Sequence, residues 1–166
     1  NNNQKKATEI ETNKNYSGSV AGNSDVDWYK LVLPEDGYIS VDFKHELLSS
    51  TSGFWNFYLY QEDGITSIGN YSLKYQVVGD ANLKSEQIGL KAGVYYMQIT
   101  RGDYNTSNVV YTVNVNFVKN EYTELEPNSS AKDATNIKVN KEYLGSVGNA
   151  SDADWYKLTL SAAAEV

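Results

Sequence analysis

The sequence contains no cysteine, and this and other shortages exclude several classes of protein. Without cysteine there are no thiolate metal sites, no disulfide bonds and no cysteine nucleophiles. His45 is the single histidine, so a Ser-His-Asp triad would depend on that residue alone. No nucleophile elbow, phosphate-binding glycine loop or pair of facing carboxylates accompanies it. The sequence therefore predicts that the chain is not an enzyme.

Positive charge and long apolar runs are also scarce. Lys and Arg number 14 against 21 Asp and Glu, which gives a net charge of −7 and a pI of about 4.7. Nucleic-acid-binding domains displace counterions with a basic surface, and this composition does not supply one. No apolar run approaches the roughly 18 residues that a membrane helix needs. We therefore expect no nucleic-acid partner and no membrane span.

The most informative feature that is present is a repeat. Ten residues, SDVDWYKLVL at 24–33, return almost unchanged as SDADWYKLTL at 151–160. The match extends without a gap to residues 7–33 and 134–160, called here the first and second matching segments. A period of this length is typical of tandem whole domains and not of a solenoid.

The repeat predicts the domain organisation. We expect a complete domain at residues 1–119, an acidic linker at 120–130 and the opening part of a second copy at 131–166. The chain is then a fragment of a longer protein. Because 121–166 would hold only the first strands of a sandwich, we expect this part to be poorly ordered or to pack against the first copy or a neighbouring molecule. Strand exchange between chains is a further expectation, since the two copies share their opening strands.

Apolar and polar side chains alternate along much of the first copy, which is typical of strands with one buried face. The pattern predicts that Tyr29, Phe57, Ile99 and Val113 share one interior. Turn residues separate the runs, and only KKATEIETN at 5–13 is predicted to be a short helix or helical turn. The fold class is therefore all-β: about eight strands in an antiparallel, two-sheet, jelly-roll-like sandwich, followed by the opening strands of a second copy.

Several motifs follow one another in a characteristic order. E-P-N-x-S leads into A-T-x-I, Y-x-G-S-V and D-x-D-W-Y-K-L, and L-x-A-G-V-Y-Y and Y-T-V-N-V-N-F come later. The chain in this respect resembles the bacterial pre-peptidase C-terminal domain family, which is similar to the collagen-binding domains of clostridial collagenases. The resemblance implies a non-catalytic β-sandwich module of a secreted or cell-surface bacterial protein, serving as a spacer, stabiliser or targeting domain. Its expected partner is the catalytic domain of a parent protease or other hydrolase.

Acidic residues of the repeated motif are candidate calcium ligands. Asp25 and Asp27 offer hard oxygen ligands close together, as calcium-binding loops do. By resemblance, the second copy supplies a calcium site whose members are Glu124, Glu126, Asn128, Asp152 and Asp154. In the first copy the counterparts of Glu124 and Glu126 would precede residue 1. The alternative is that these Asp side chains cap backbone N–H groups in the turn before the strand.

Outward tyrosines form a second candidate site. Tyr38, Tyr58, Tyr60 and Tyr96 are predicted to point away from the core, and exposed tyrosines can hold a polysaccharide, collagen or another peptide. The alternative function is therefore a dedicated carbohydrate- or collagen-binding module. Gln98, where collagen-binding relatives carry further aromatic residues on this strand, argues against collagen. Outward tyrosines are also common in β-proteins without a binding role.

Overall fold

The computed structural model describes residues 1–22, 24–45, 53–75, 82–101, 109–148 and 152–161, and of 53–54, 69–75 and 82–83 it describes the backbone alone. Strands dominate this described part, which contains one short 3-10 turn at Gln4–Lys6. The strands are β1 Thr8–Ile10, β2 Asn15–Ser19, β3 Val26–Leu33, β4 Gly37–His45, β5 Gly53–Tyr60, β6 Ser67–Tyr75, β7 Asn82–Lys84, β8 Ile88–Leu90, β9 Gly93–Arg101, β10 Val110–Lys119, β11 Thr135–Ile137 and β12 Tyr156–Leu158. Among the described residues, no helix is long and apolar enough to cross a membrane.

Ten of these strands form two facing sheets. The first sheet has the order β1-β3-β9-β5-β6, and the second has the order β2-β10-β4, with β7 and β8 both paired to β4. All pairs in the two sheets are antiparallel except β1 with β3. The predicted all-β class and the antiparallel sandwich are confirmed.

The core lies between the two sheets and follows from the alternation of side chains. In β3, buried and less buried residues alternate, and β9 and β10 repeat the pattern. Tyr29, Phe57, Ile99 and Val113 all belong to one buried cluster, as expected from the sequence. Full burial of such a side chain stabilises the fold by about 1.5–3 kcal/mol, so the sandwich depends on this interior.

The segment at 5–13 differs from its prediction. It is not helical beyond Lys6: β1 follows at Thr8–Ile10 and pairs in parallel with β3. Three residues are too few to show a period, and the pairing partner is remote in sequence, so the local pattern did not reveal this strand.

The stretch at 83–90 also differs, because it forms two short strands, β7 and β8, in place of one. Ser85 separates them: its N–H donates to the Val41 carbonyl oxygen at 2.9 Å, and its hydroxyl oxygen accepts from the Val41 N–H at 2.8 Å. The side chain thus takes a hydrogen bond that a continuous strand would supply. With β1, this raises the number of strands in the sandwich to ten.

Residues after β10 pack against the sandwich at β8. The Glu126 N–H donates to the Gly89 carbonyl oxygen at 2.9 Å, and the Ser146 hydroxyl donates to the Gln87 carbonyl oxygen at 2.7 Å. A Cβ atom at Gly89 would overlap the backbone of Glu124, so this close approach requires glycine. Beyond this contact, β11 and β12 form a separate parallel pair.

Candidate functional site

An extended stretch of backbone carries the acidic residues that follow the sandwich. The Glu124 N–H donates to the Leu144 carbonyl oxygen at 2.8 Å, and the Glu126 N–H is bound to Gly89 of β8. Alternate residues of an extended chain point to the same side. Glu124, Glu126 and Asn128 therefore project together, towards the chain that enters β12.

Three carboxylates meet there in a cluster. Glu124, Glu126 and Asp154 each offer one oxygen, and these oxygens all lie within 4.8 Å of one another. Glu124 is 1% exposed, Glu126 is 6% exposed and the adjoining Asn128 is fully buried. Burying like charges this close is costly unless a positive charge accompanies them. We call Glu124, Glu126, Asn128 and Asp154 the acidic cage.

Hydrogen bonds satisfy only part of the acidic cage. Glu124 accepts from the Tyr156 hydroxyl at 2.8 Å, from the Asn128 side-chain amide at 3.4 Å and from the Ser146 N–H. One oxygen each of Glu126, Asn128 and Asp154 is buried and has no partner within the described residues. An unsatisfied buried polar group costs about 1–3 kcal/mol, so the acidic cage favours a ligand that would satisfy these oxygens.

The pKa values in the acidic cage reflect this crowding. Burial raises the pKa of Glu126 to about 7, and the negative charge of Asp152 adds to the effect. Burial, followed by the charge of Glu124, raises the pKa of Asp154 to about 6. Burial and the hydrogen bond to Glu124 also raise the pKa of Tyr156. A bound cation would reverse the unfavourable interactions between the carboxylates.

The donor set of the acidic cage fits calcium. It consists of carboxylate and amide oxygens, which are the ligands that Ca²⁺ takes in sets of about 6–8, with water completing the shell. Soft or imidazole ligands, which favour zinc, are not part of it. Of the five residues predicted for this site, Glu124, Glu126, Asn128 and Asp154 come together. Asp152 lies close enough for its charge to raise the pKa of Glu126, and one of its carboxylate oxygens accepts from the Gly148 N–H at 2.6 Å.

The equivalent Asp residues of the first matching segment have other partners. An Asp25 carboxylate oxygen accepts from the Ala21 N–H at 2.6 Å, which is a turn-capping contact. Asp27 is buried and accepts from the Tyr111 hydroxyl at 2.5 Å, and the Tyr111 and Tyr29 hydroxyls lie 2.8 Å apart. Burial raises the pKa of Asp27. Within the described residues, neither Asp joins a cluster of three potential metal ligands.

The four tyrosines predicted to point outward lie on two different faces. Tyr58, Tyr60 and Tyr96 lie on β5 and β9 of the first sheet, whereas Tyr38 lies on β4 of the second sheet. All four are half-buried. Tyr38 is therefore separated from the others by the thickness of the sandwich.

Trp28 joins two of these tyrosines in an aromatic cluster that sequence reasoning missed. Its ring stacks on Tyr60 with centroids 5.3 Å apart and meets Tyr96 edge-on at 6.5 Å. Alternation along β3 places Trp28 on the face opposite Tyr29, so the sequence could have predicted that Trp28 points outward. The register that sets Tyr60 opposite Tyr96 could not be read from the sequence. We call Trp28, Tyr60 and Tyr96 the aromatic cluster.

The single histidine has aromatic neighbours at the end of β4. The ring centroid of His45 lies 4.5 Å from that of Trp55 and 6.3 Å from that of Phe43. Trp55 and Phe43 are core residues, so His45 packs at the margin of the hydrophobic interior.

Comparison with known proteins gives structural likenesses. No family model matches the chain, and no curated protein does. Among solved structures, the pre-peptidase C-terminal domain of collagenase from Bacillus anthracis is similar at 19% identity and a TM-score of 0.48, over 69% of this chain and 99% of that one. The chain resembles a pre-peptidase C-terminal domain. The motifs and this structural likeness name the same kind of domain, and at 19% identity the likeness concerns the fold.

Two further structures are similar over most of their length. One is PliG of Aeromonas hydrophila, a periplasmic inhibitor of g-type lysozyme, at 20% identity and a TM-score of 0.40, over 68% of this chain and 98% of that one. The other is a carbohydrate-binding module of Cellvibrio mixtus lichenase 5A, at 15% identity and a TM-score of 0.38, over 63% of this chain and 78% of that one. At such identities the likeness concerns the fold.

Proposed function

We propose that the chain is a non-catalytic accessory module of a secreted or cell-surface bacterial protein, stabilised by calcium in the acidic cage. Its partner would be the catalytic domain of a parent hydrolase, for which it serves as spacer or targeting domain. The observation that carries the proposal is the convergence of the Glu124, Glu126 and Asp154 carboxylates, where one oxygen each of Glu126, Asn128 and Asp154 is buried without a hydrogen-bond partner among the described residues.

The position of the acidic cage explains what an ion would stabilise. Glu124 and Glu126 belong to the backbone stretch that contacts β8, whereas Asp154 precedes β12. Calcium would supply positive charge that offsets the repulsion between these carboxylates. The side chains would in turn hold the residues around β12 to the stretch that rests on the sandwich. The module would then be more rigid with the ion than without it.

Thermal unfolding with EDTA and with excess calcium tests the proposal. If calcium binds the folded state alone, a concentration of 100 Kd should stabilise it by about 2.7 kcal/mol and raise the melting temperature. Glu126→Gln should abolish most of this rise, because it removes one buried carboxylate. Glu142→Gln is the matched control, since Glu142 is exposed and lies outside the acidic cage. An identical melting temperature with EDTA and with calcium would remove the ion from the proposal.

The aromatic cluster favours a second function, binding of an extracellular polymer such as a polysaccharide or a fibrous protein. Three half-buried rings lie together on the outer face of the first sheet, and aromatic residues are enriched in interaction surfaces. Retention on cellulose, mucin, peptidoglycan or collagen measures this function. Trp28→Ala should release the protein from the matrix that retains it, whereas Val32→Ala, a change at an exposed residue of the same strand, should not. Passage through all four matrices would contradict polymer binding.

A further inference from the structure

A small cavity of about 180 Å³ lies on the outer face of the second sheet, away from the acidic cage and from the aromatic cluster. Five of the described residues line it, on three adjacent strands: Asn15, Asp42, Lys44, Thr112 and Asn114. Asn114 of β10 lies between Asn15 and Asp42, and Thr112 lies beside Lys44. The lining side chains on β10, Thr112 and Asn114, are short, whereas Lys44 on β4 is long.

The size and lining of the cavity restrict its ligand. Sites for drug-sized molecules measure about 300–1,000 Å³, so this cavity admits a smaller molecule or a single unit of a polymer. All five lining side chains are polar, and an apolar ligand would gain little from entering. Asp42 and Lys44 carry opposite charges, which favours a ligand without net charge.

Hydrogen bonds hold the lining in place and leave specific groups for a ligand. The Asn114 amide donates to Asn15 Oδ1 at 3.0 Å, and the Asn116 amide donates to Asp42 Oδ2 at 2.9 Å. Within the described residues, these bonds leave Asp42 Oδ1 as an acceptor and the Asn15 amide and Lys44 ammonium as donors. Asn114 Oδ1 is closed off from solvent, so a ligand would reach only the nitrogen side of that amide.

We propose that this cavity binds one neutral pyranose unit of a carbohydrate. Hydroxyl groups on adjacent ring carbons both donate and accept, which matches an acceptor at Asp42 beside a donor at Lys44. The Asn15 amide, two strands away, would donate to the far side of the ring. A peptide strand fits less well, because β10 is already paired with β2 and β4 and offers no free backbone edge. A ligand in this cavity would therefore be bound by side chains and not by backbone groups, which suits the hydroxyl groups of a sugar ring.

NMR titration of the 15N-labelled chain with glucose, mannose, galactose and N-acetylglucosamine tests the inference. At least one sugar should produce saturable shifts in the millimolar range at the cavity-lining residues. Asp42→Asn should weaken its binding about tenfold, because it removes a charged hydrogen-bond acceptor. Thr112→Val should weaken binding by a smaller factor, and Thr100→Val, the same substitution on the first sheet, should leave binding unchanged.

Several results would overturn the inference. One is the lack of saturable shifts with any of the four sugars, and another is shifts that map to the aromatic cluster in place of the cavity. Tighter binding of glucuronate or of a glycine peptide would assign the cavity to a different ligand class. If Asp42→Asn lowers the melting temperature, Lys44→Met provides the same test from an exposed position. The calcium-dependent melting temperature is measured separately, so either proposal can fail without the other.

Discussion

The first and second matching segments share their local structure. β1 pairs in parallel with β3 and β11 with β12 in the same register, with Thr8 opposite Tyr29 and Thr135 opposite Tyr156. The other local features agree as well: Asn13 and Asn140 have φ values of 62° and 58°, and the Tyr16 and Tyr143 hydroxyls accept from the N–H of Glu11 and Lys138 at 2.9 and 3.1 Å. Local sequence is therefore sufficient to specify this hydrogen-bond pattern.

The two segments differ in what surrounds them. Tyr29 is 4% exposed and Tyr156 is 41% exposed, while Leu31 is 1% exposed and Leu158 is 40% exposed. In the first segment β9 pairs with the free side of β3, and the second sheet covers its inner face. Within the described residues β12 pairs with β11 alone. The burial of the residues on β3 thus depends on strands that lie outside the first matching segment.

The same difference changes the role of the repeated Asp. Asp27 accepts a hydrogen bond from Tyr111, a residue of β10, whereas Asp154 belongs to the acidic cage with Glu124 and Glu126. Identical motifs therefore place a carboxylate at the same point of the backbone, and more remote residues determine its chemistry.

The largest expected difference between the segments comes from paired leucine substitutions. Leu31→Ala should lower the free energy of unfolding by about 3 kcal/mol, because it leaves a cavity in a packed core. Leu158→Ala should lower it by about 0.5 kcal/mol, as expected for a largely exposed side chain. Denaturation by urea, followed by tryptophan fluorescence, measures both. Equal losses would show that Leu158 is as well packed in solution as Leu31.

A smaller difference is expected at the two asparagines with positive φ. The Asn13 side chain accepts from the Phe117 N–H at 3.0 Å and donates to the Phe117 carbonyl oxygen at 3.4 Å, which ties the turn to β10. Asn13→Gly should cost about 1 kcal/mol, because the lost bonds outweigh the easier positive φ of glycine. Asn140→Gly should change stability by less than about 0.5 kcal/mol. The same urea titration measures both variants. A larger loss of stability for Asn140→Gly than for Asn13→Gly would contradict this explanation.

Much of the fold could be predicted because it depends on alternation. The buried faces of β3, β5, β9 and β10 follow from a period of two, and so does their common interior. The helical prediction at 5–13 holds only for the turn that ends at Lys6, since the next residues form β1, whose pairing depends on a strand that starts at Val26. Short strands without their own period are specified by tertiary contacts.

The candidate sites were predictable to a lesser degree. The motif resemblance assigned Glu124, Glu126 and Asp154 to one site. The burial of Glu124 and Glu126 could not be predicted, because an acidic linker is normally expected to be exposed. Trp28 joins Tyr60 through stacking across β3, β9 and β5, which requires knowledge of the strand order. The cavity on the second sheet combines side chains of β2, β4 and β10 and has no local signature.

The parallel strand β1 has a consequence for how the molecule behaves among its own copies. It closes one side of the first sheet with only three residues, and it is followed at once by the exposed Glu11. A border of three residues offers few backbone groups to which a foreign strand could add. The opposite border is β6, which is nine residues long. The β1 edge of the first sheet should therefore resist aggregation through strand addition better than the β6 edge does.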